Sequence, residues 1–378
     1  MNIEILQSHI NNINDKNKYI IEKTIPLTNF KLFKQIVLLS IKKTKTIIKG
    51  SQSLNLLLKK KLFTNKDDIL YKDIDCLTLN PIELIDLICK KAKDKNINKY
   101  ITVIQNPYKP TIYIIKFYNI SFIDIHSCND ISYNIIPKIN VNNILYIEPS
   151  YMKIDLYNIL STPIIYNIQL LNKTLLRIKL IEKDYPYKKS TSYSNSNSNI
   201  NNNIKIIKKI INNLKYKFIL TGLIAYYYLY HKINVPYLEL FSTNPLKEIE
   251  HLKSILNITN VVKYEGYDFN LSNFYCLFID NEPLIYLYTL VDCKSYVIKN
   301  NYIIANNYLL LFYFNIKIYL NKKYDNIFDI KENTIYYLLN NIYKSKLQFT
   351  TQCIGNLQPG ILELLNTQKN NIKFNYTC

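Results

Sequence analysis

The spacing of apolar residues in the first half of the chain predicts alternating helices and strands. A helical period predicts a helix over residues 30–48, after a polar helical lead-in over residues 1–30 that Pro26 closes, and another over residues 51–62. Asn80-Pro81 predicts the start of a third helix, over residues 81–93, because asparagine is a good N-cap and proline suits the first helical position. The apolar runs predict strands over residues 69–79, 100–105 and 111–118 and around Asp124. This order predicts an α/β domain with a mixed sheet.

The rest of the chain predicts further helices and a second domain. Residues 144–182 have the pattern of an interrupted helix, with breaks at Pro149 and Pro163. Helices are also predicted over residues 302–320 and 331–346, with a short one after Pro359-Gly360. A segment rich in serine, asparagine and tyrosine has the composition of a flexible linker or loop. The predicted divisions are a lead-in over 1–30, a first α/β domain over 31–186, the linker over 187–204 and a second domain over 205–378.

Part of the first half recurs in the second. Residues 218–222 resemble the apolar stretch that leads to Gly50, and residues 237–246 align with residues 73–82 if one gap is allowed. Leu290-Val291-Asp292 similarly resembles Phe122-Ile123-Asp124. In the second copy Tyr237 replaces Asp73, and Leu223 replaces Ser51. We interpret the pattern as a duplicated fold whose second copy has lost its site; a chance recurrence in a biased composition is the alternative.

Composition and charge limit the class of partner. Isoleucine, asparagine, lysine and tyrosine, which all have AT-rich codons, dominate the chain, so single residues of these types carry little information. The net charge of +20 over 378 residues favours a polyanion, RNA or DNA, with a membrane surface as the competing partner. No apolar run reaches the roughly 18 residues that a spanning helix needs, and the N-terminus lacks the form of a signal peptide, which predicts a soluble protein.

The cysteines predict a reducing compartment. There are 7 of them, an odd number, and they are scattered without any Cys-x-x-Cys spacing. This distribution argues against a disulfide framework and against a zinc site. We therefore expect a cytosolic protein.

Three short motifs carry the candidate chemistry. They are Lys49-Gly50-Ser51 at a predicted helix start, Asp73 and Asp75 at alternate positions of a predicted strand, and Asp124 on a later strand. Side chains two apart on a strand point to one face. Carboxylate oxygens are ligands that Mg²⁺ prefers, and a glycine-serine turn at a helix N-terminus suits a phosphate. The ordered set is the skeleton of a nucleotidyltransferase site, in which two divalent ions assist attack on a triphosphate.

Each motif alone also has an ordinary structural interpretation. An exposed strand often carries alternating acids, and lysines such as Lys49 and Lys72 are too frequent here to indicate a phosphate ligand. His126 is expected to be a structural histidine. Arg177 is the only arginine among the 48 lysines and arginines, and it predicts either a nucleotide or RNA contact or a salt bridge.

On these motifs the chain resembles the poly(A) polymerase catalytic subunits of poxviruses, asfarviruses and giant viruses, which are polymerase-β-like nucleotidyltransferases. The resemblance rests on Lys49-Gly50-Ser51, Asp73-Ile74-Asp75 and Ile123-Asp124-Ile125. It continues through Met152-Lys153-Ile154-Asp155-Leu156-Tyr157 and covers roughly residues 35–185. The chain departs from the family pattern next to Arg177, where it has Leu176 instead of a tryptophan.

The resemblance implies template-independent addition of AMP from ATP to RNA 3′ ends, with Mg²⁺ or Mn²⁺. It implies that Asp73, Asp75 and Asp124 are the catalytic metal ligands and that Gly50, Ser51 and Arg177 bind the nucleotide. It also implies a nucleotidyltransferase-like first domain followed by a degenerate copy. It leaves open a homodimer, a viral stimulatory subunit, and a place in the host cytoplasm, viral factory or virion. A non-catalytic RNA-binding scaffold and an enzyme that adds another nucleotide are the alternatives.

Overall fold

The computed structural model describes residues 3–63, 71–106, 111–163, 167–190, 200–230, 233–267, 271–345, 349–350, 352–355 and 378. The chain divides into two compact units: the first consists of Met1–Lys153, Gln169–Pro186 and Glu363–Cys378, and the second of Ile154–Ile168 and Tyr187–Leu362. Each unit is built on a mixed sheet with helices, which confirms the predicted fold class. The domain boundaries predicted from the sequence remain a proposal.

The helices are α1 (Ile3–Thr24), α2 (Leu27–Lys43), α3 (Gly50–Leu57), α4 (Pro81–Lys93), α5 (Asp130–Ile135), α6 (Lys153–Leu160), α7 (Ile168–Asp184), α8 (Ile200–Asn212), α9 (Gly222–Leu229), α10 (Pro245–Ile255), α11 (Asn307–Lys323) and α12 (Glu332–Lys344). The strands are β1 (Ile47–Lys49), β2 (Ile74–Thr78), β3 (Ile101–Gln105), β4 (Ile112–Phe117), β5 (Ile120–Ser127), β6 (Lys138–Val141), β7 (Ile144–Ile147), β8 (Phe218–Leu220), β9 (Leu238–Ser242), β10 (Asn260–Tyr264), β11 (Phe274–Ile279), β12 (Glu282–Thr289), β13 (Lys294–Lys299), β14 (Tyr302–Ala305) and β15 (Cys353–Ile354).

The first unit has a sheet with the strand order β3-β4-β5-β2-β1-β7-β6. The strand β2 lies parallel to β5 and antiparallel to β1, and β1 lies parallel to β7. The apolar faces of α2 and α4 pack on one side of this sheet, in a core that includes Phe33, Val37, Leu84, Ile74 and Cys76. The other side carries the alternate residues of β2 and β5.

Several local predictions are confirmed and others are wrong. The helix α4 begins where the sequence predicts, because the Asn80 side chain accepts a hydrogen bond from the Glu83 backbone N–H and Pro81 follows it. The predicted helix over 30–48 ends at Lys43, and Ile47–Lys49 is a strand that pairs on both sides. The predicted helix over 51–62 spans Gly50–Leu57, and the predicted strand over 69–79 begins at Ile74 among the described residues. Short strands between helices contain too few residues to show the alternation of apolar and polar positions that identifies a strand in a sequence.

Other elements differ in the same way. Residues 144–147 and 302–305 are strands, although the sequence predicts helix there. The predicted linker over 187–204 overlaps the start of α8 at Ile200, and residues 191–199 lie outside the described residues, as does the short helix predicted after Pro359-Gly360.

The sheet of the second unit repeats that of the first. Its strand order is β10-β11-β12-β9-β8-β14-β13-β15, and the first seven strands have the pairing directions of their counterparts in the first unit. The helix α10 also repeats α4, with Asn244 as the N-cap and Pro245 after it. The structure thus supports a duplicated fold over a chance recurrence.

The sheet register corrects two details of the predicted repeat. Residues 73–81 align with residues 237–245 without a gap, since 237 − 73 and 245 − 81 are both 164. The strand β12 ends at Thr289, and its residue opposite Glu239 is Tyr286, whereas Asp124 lies opposite Asp75 in the first unit. The predicted equivalence of Asp292 and Asp124 is therefore wrong, because a match of three residues cannot fix a strand register.

The prediction against disulfides is also wrong. Cys89 is bonded to Cys378 in the first unit, and Cys293 is bonded to Cys353 in the second. The paired cysteines are 289 and 60 residues apart in the sequence, so their spacing gives no local signal. Among the described residues, no helix is long and apolar enough to cross a membrane.

Candidate active site

Three carboxylates meet at the face of the sheet opposite α2 and α4. Asp75 in β2 lies opposite Asp124 in the parallel strand β5, and Asp73 immediately precedes β2. One oxygen from each carboxylate lies within 4.8 Å of the others, and Asp73 is the most exposed of the three. The sequence predicts this trio, and the structure brings its members together.

The alternation of side chains along β2 explains why the carboxylates are held there. Ile74 and Cys76 are buried in the core with α2 and α4, so Asp75 between them must point to the opposite face. The same alternation in β5 directs Ile123 and Ile125 into the core and Asp124 to the other side. Burial of the apolar positions thus fixes the direction of the acidic ones.

Gly50 brings the start of α3 against the carboxylates. It follows β1, begins α3 and has a φ of +67°, in the left-handed region. A Cβ at this position would lie 2.0 Å from Oδ2 of Asp75. Glycine is therefore required both by the backbone conformation and by the close approach.

Positive groups surround the trio. The Arg177 guanidinium on α7 donates a hydrogen bond to Ser51 Oγ, which links two residues that the sequence predicts to bind nucleotide. Lys49, Arg177 and Lys173 all act electrostatically on Asp75. Sequence reasoning missed Lys173; its position four residues before Arg177, on the same helix face, is the signal that could have indicated it.

The charges shift the ionisation of the site. Burial, and then the neighbouring Asp73, raise the pKa of Asp75, whereas Lys49, Arg177 and Lys173 act to lower it. Burial, and then Asp75 and Asp73, raise the pKa of Asp124 to about 7. The positive charge of Arg177, together with burial, lowers the pKa of Lys173 to about 8. The three carboxylates offer hard oxygen ligands that lie close together. Mg²⁺ or Mn²⁺ fits this group of ligands, because a divalent cation would relieve the repulsion between the carboxylates.

We expect the metal-free protein to become less stable as the pH rises toward neutrality. The pKa of Asp124 is raised from 3.8 to about 7 in the folded state. Between those pH values the folded protein holds this proton more tightly than the unfolded chain does, so the free energy of unfolding falls as the pH rises and the proton is lost. Urea unfolding in a chelator at pH 5.5 and at pH 8 would measure this difference. Asp124→Asn should reduce it, and an undiminished pH dependence in that variant would contradict the assignment.

The second unit has a different group at each equivalent position. Tyr237, Glu239 and Tyr286 occupy the positions of Asp73, Asp75 and Asp124. Glu239 accepts hydrogen bonds from the backbone N–H of Leu223 (3.0 Å) and from the Tyr313 hydroxyl (2.5 Å). A fully buried ammonium, that of Lys317, lies 2.5 Å from Glu239 Oε1. One carboxylate and a lysine thus replace the three carboxylates of the first unit.

The comparisons with known proteins agree with this geometry. Residues 35–166 match the family model described as poly(A) polymerase catalytic subunit. The fold is similar to that in the crystal structure of the Megavirus polyadenylate synthase, with a TM-score of 0.76 and 16% identity, over 97% of this chain and 82% of that chain. A comparison with curated protein sequences gives no match. The resemblance predicted from the sequence is confirmed: residues 35–166 match the poly(A) polymerase catalytic subunit family, and the chain has a fold similar to that of the Megavirus polyadenylate synthase.

Proposed function

We propose that the protein is a template-independent polynucleotide adenylyltransferase that adds AMP from ATP to RNA 3′ ends, with Mg²⁺ or Mn²⁺. The observation that carries the proposal is the meeting of Asp73, Asp75 and Asp124 beside the Gly50-Ser51 turn, inside the residues that match the family. A scaffold that only binds RNA would gain nothing from three carboxylates that repel one another.

The residues of the site have distinct roles in this proposal. Asp73, Asp75 and Asp124 would hold the divalent cations, which supply charge stabilisation to the attacking hydroxyl and the leaving pyrophosphate. Asp124, on the far side of Asp75 from Gly50, would serve the RNA 3′ hydroxyl. The backbone at Gly50-Ser51 and the Ser51 hydroxyl would donate hydrogen bonds to the triphosphate.

Arg177 and Lys173 would complete the triphosphate site. Both lie on α7, and the hydrogen bond from Arg177 to Ser51 keeps the guanidinium at the start of α3. A guanidinium can donate two parallel hydrogen bonds to a phosphate, and a lysine adds a point charge.

The test is the extension of a short labelled RNA with each nucleoside triphosphate in turn, in the presence of Mg²⁺ or Mn²⁺. We expect long products with ATP alone and no products with an Asp73→Ala/Asp75→Ala variant that still binds RNA. Extension with another nucleotide would keep the site and overturn the adenine assignment. Binding without extension under all conditions would favour the scaffold, or an enzyme that needs a stimulatory subunit.

The two equivalent glycines provide a matched pair of variants. Gly50 and Gly222 have φ values of +67° and +61°, and a Cβ would lie 2.0 Å from Asp75 Oδ2 in the first case and 1.8 Å from Glu239 Oε2 in the second. We expect Gly50→Ala and Gly222→Ala each to lower the free energy of unfolding by at least about 1–2 kcal/mol. Only Gly50→Ala should abolish extension at a temperature where both variants are folded, and equal loss of activity would contradict the assignment.

Location and assembly are further parts of the proposal. We propose that the enzyme acts where viral transcripts are made, in the host cytoplasm, a viral factory or the virion. Measurement of the molar mass in solution would test for a homodimer. Measurement of activity with and without partner proteins would test for a stimulatory subunit.

A further inference from the structure

A groove in the first unit lies away from the carboxylates. It runs between one face of α2 and the turn that joins β6 to β7, and its volume is about 420 Å³. Asn142 and Asn143 form that turn, both with positive φ, which is the usual conformation of a two-residue hairpin. The groove therefore has two rigid walls, a helix and a tight hairpin.

The lining of the groove combines positive charge with an apolar floor. Lys31, Lys34 and Lys42 contribute the charge, and Leu38, Leu39 and Ile144 contribute the apolar surface. Among its lining residues in the described part of the chain, none is acidic. Leu39 keeps 48% of its surface exposed, although its neighbours Ile36 and Val37 are buried in the core. A strip of apolar side chains between lysines suits a polymer that carries both negative charges and flat apolar groups.

The groove and the carboxylates lie on opposite faces of one sheet. The helix α2 packs on the face that carries Ile74 and Cys76, and Ile144 packs against the same core. Asp75 points to the other face. A ligand in the groove therefore cannot be the reacting nucleotide, and it cannot be the few residues of RNA next to the 3′ end.

We propose that this groove binds a single-stranded stretch of the RNA substrate upstream of its 3′ end. The proposal rests on the proposed function for the identity of the polyanion. Phosphates would contact Lys31, Lys34 and Lys42, and the bases would lie on Leu38, Leu39 and Ile144. The contact would hold the RNA between successive additions without reading its sequence, because lysines and aliphatic side chains give no base-specific hydrogen-bond pattern.

The test compares Lys31→Glu/Lys42→Glu with a control of equal charge change, Lys93→Glu/Lys95→Glu. Lys93 and Lys95 are exposed at the end of α4, which does not line the groove. We expect the groove variant to bind a labelled single-stranded RNA of roughly 30 nucleotides about tenfold more weakly. The slope of the logarithm of the binding constant against the logarithm of the salt concentration should become shallower by about 1.4, which is about 0.7 for each lost phosphate contact. The control variant should change affinity by less than about twofold.

Extension of RNAs of two lengths separates this inference from the proposed function. The groove variant should raise the KM for the long RNA and leave extension of a primer of roughly six nucleotides unchanged. Equal effects of the two double variants would overturn the groove proposal, because net charge alone would then explain the loss of RNA binding. Unchanged RNA affinity in the groove variant would also overturn it, and would favour an acidic protein as the occupant of the groove. If the unmodified protein binds RNA but extends none, with or without partner proteins, the proposed function is overturned and the groove proposal is not. Lys31→Gln/Lys42→Gln repeats the test if the reversed charges prevent folding.

Discussion

Asp75→Asn is expected to lower kcat/KM for adenylate transfer by at least roughly a thousandfold, the equivalent of about 4 kcal/mol of transition-state stabilisation. Asp75 lies opposite Asp124 in the neighbouring strand and two residues from Asp73, so we propose that it contacts every cation that the trio holds. Asparagine keeps the shape of the side chain and removes the negative charge. Primer extension under single-turnover conditions would measure the loss.

A second measurement does not depend on catalysis. In the unmodified protein, Mg²⁺ or Mn²⁺ should raise the midpoint of thermal unfolding in a concentration-dependent way, because a ligand that binds only the folded state stabilises it. Asp75→Asn should abolish this shift, whereas Asp94→Asn, at an exposed position just after α4, should retain both the shift and the activity. Activity of Asp75→Asn within about tenfold of the unmodified protein would contradict the assigned role.

The sequence predicts the carboxylate trio because strands impose a strict alternation. Once Ile74, Cys76, Ile123 and Ile125 are buried, Asp75 and Asp124 can point only to the opposite face. The pairing of β2 with β5 then brings them side by side, although β3 and β4 separate the two strands along the chain. The site is thus largely a consequence of a binary pattern that can be read from the chain.

Features that depend on contacts between distant segments could not be predicted. The strand β1 is three residues long and follows a helix, so its pattern continues that of α2 until pairing with β2 and β7 is known. Lys317 is 78 residues from Glu239, and lysine is so frequent in this chain that its presence carries no signal. The disulfide between Cys89 and Cys378 likewise joins residues that no local pattern connects.

The second unit shows what replaces the trio when two of its carboxylates are lost. Burying Glu239 by itself would leave an uncompensated charge in the core, a cost that ionised groups avoid by pairing. The Lys317 ammonium supplies the opposite charge, and it also lies 3.2 Å from the Tyr237 hydroxyl and 4.3 Å from the centre of the Phe328 ring. Burial lowers the pKa of Lys317, and Glu239 counteracts this effect. We propose that this lysine takes the place that a metal ion would need, so that the second unit binds neither cations nor nucleotide.

The buried pair gives the last prediction its direction. Glu239→Gln and Lys317→Met should each lower the free energy of unfolding by about 3–5 kcal/mol, because each leaves the partner charge buried without its counter-ion. The double variant Glu239→Gln/Lys317→Met should lose less than the sum of the single variants, because it removes both charges. A double-mutant cycle followed by urea unfolding would measure the coupling, and additive losses would show that the two groups are not paired.

Activity measurements on the same variants test whether the second unit takes part in catalysis. At a temperature where Glu239→Gln/Lys317→Met is folded, we expect its rate of extension to equal that of the unmodified protein, since no reacting group lies beside Glu239 in this proposal. Glu239→Ala should likewise keep its rate whenever it is folded. A loss of tenfold or more in a variant shown to be folded would mean that Glu239 serves the reaction, and that the carboxylate was retained for more than a buried ion pair. An unchanged rate of extension, combined with strong coupling between Glu239 and Lys317, would instead explain why one carboxylate persists in the copy that has lost the other two. Without Glu239, the buried Lys317 would be an unpaired charge in the core.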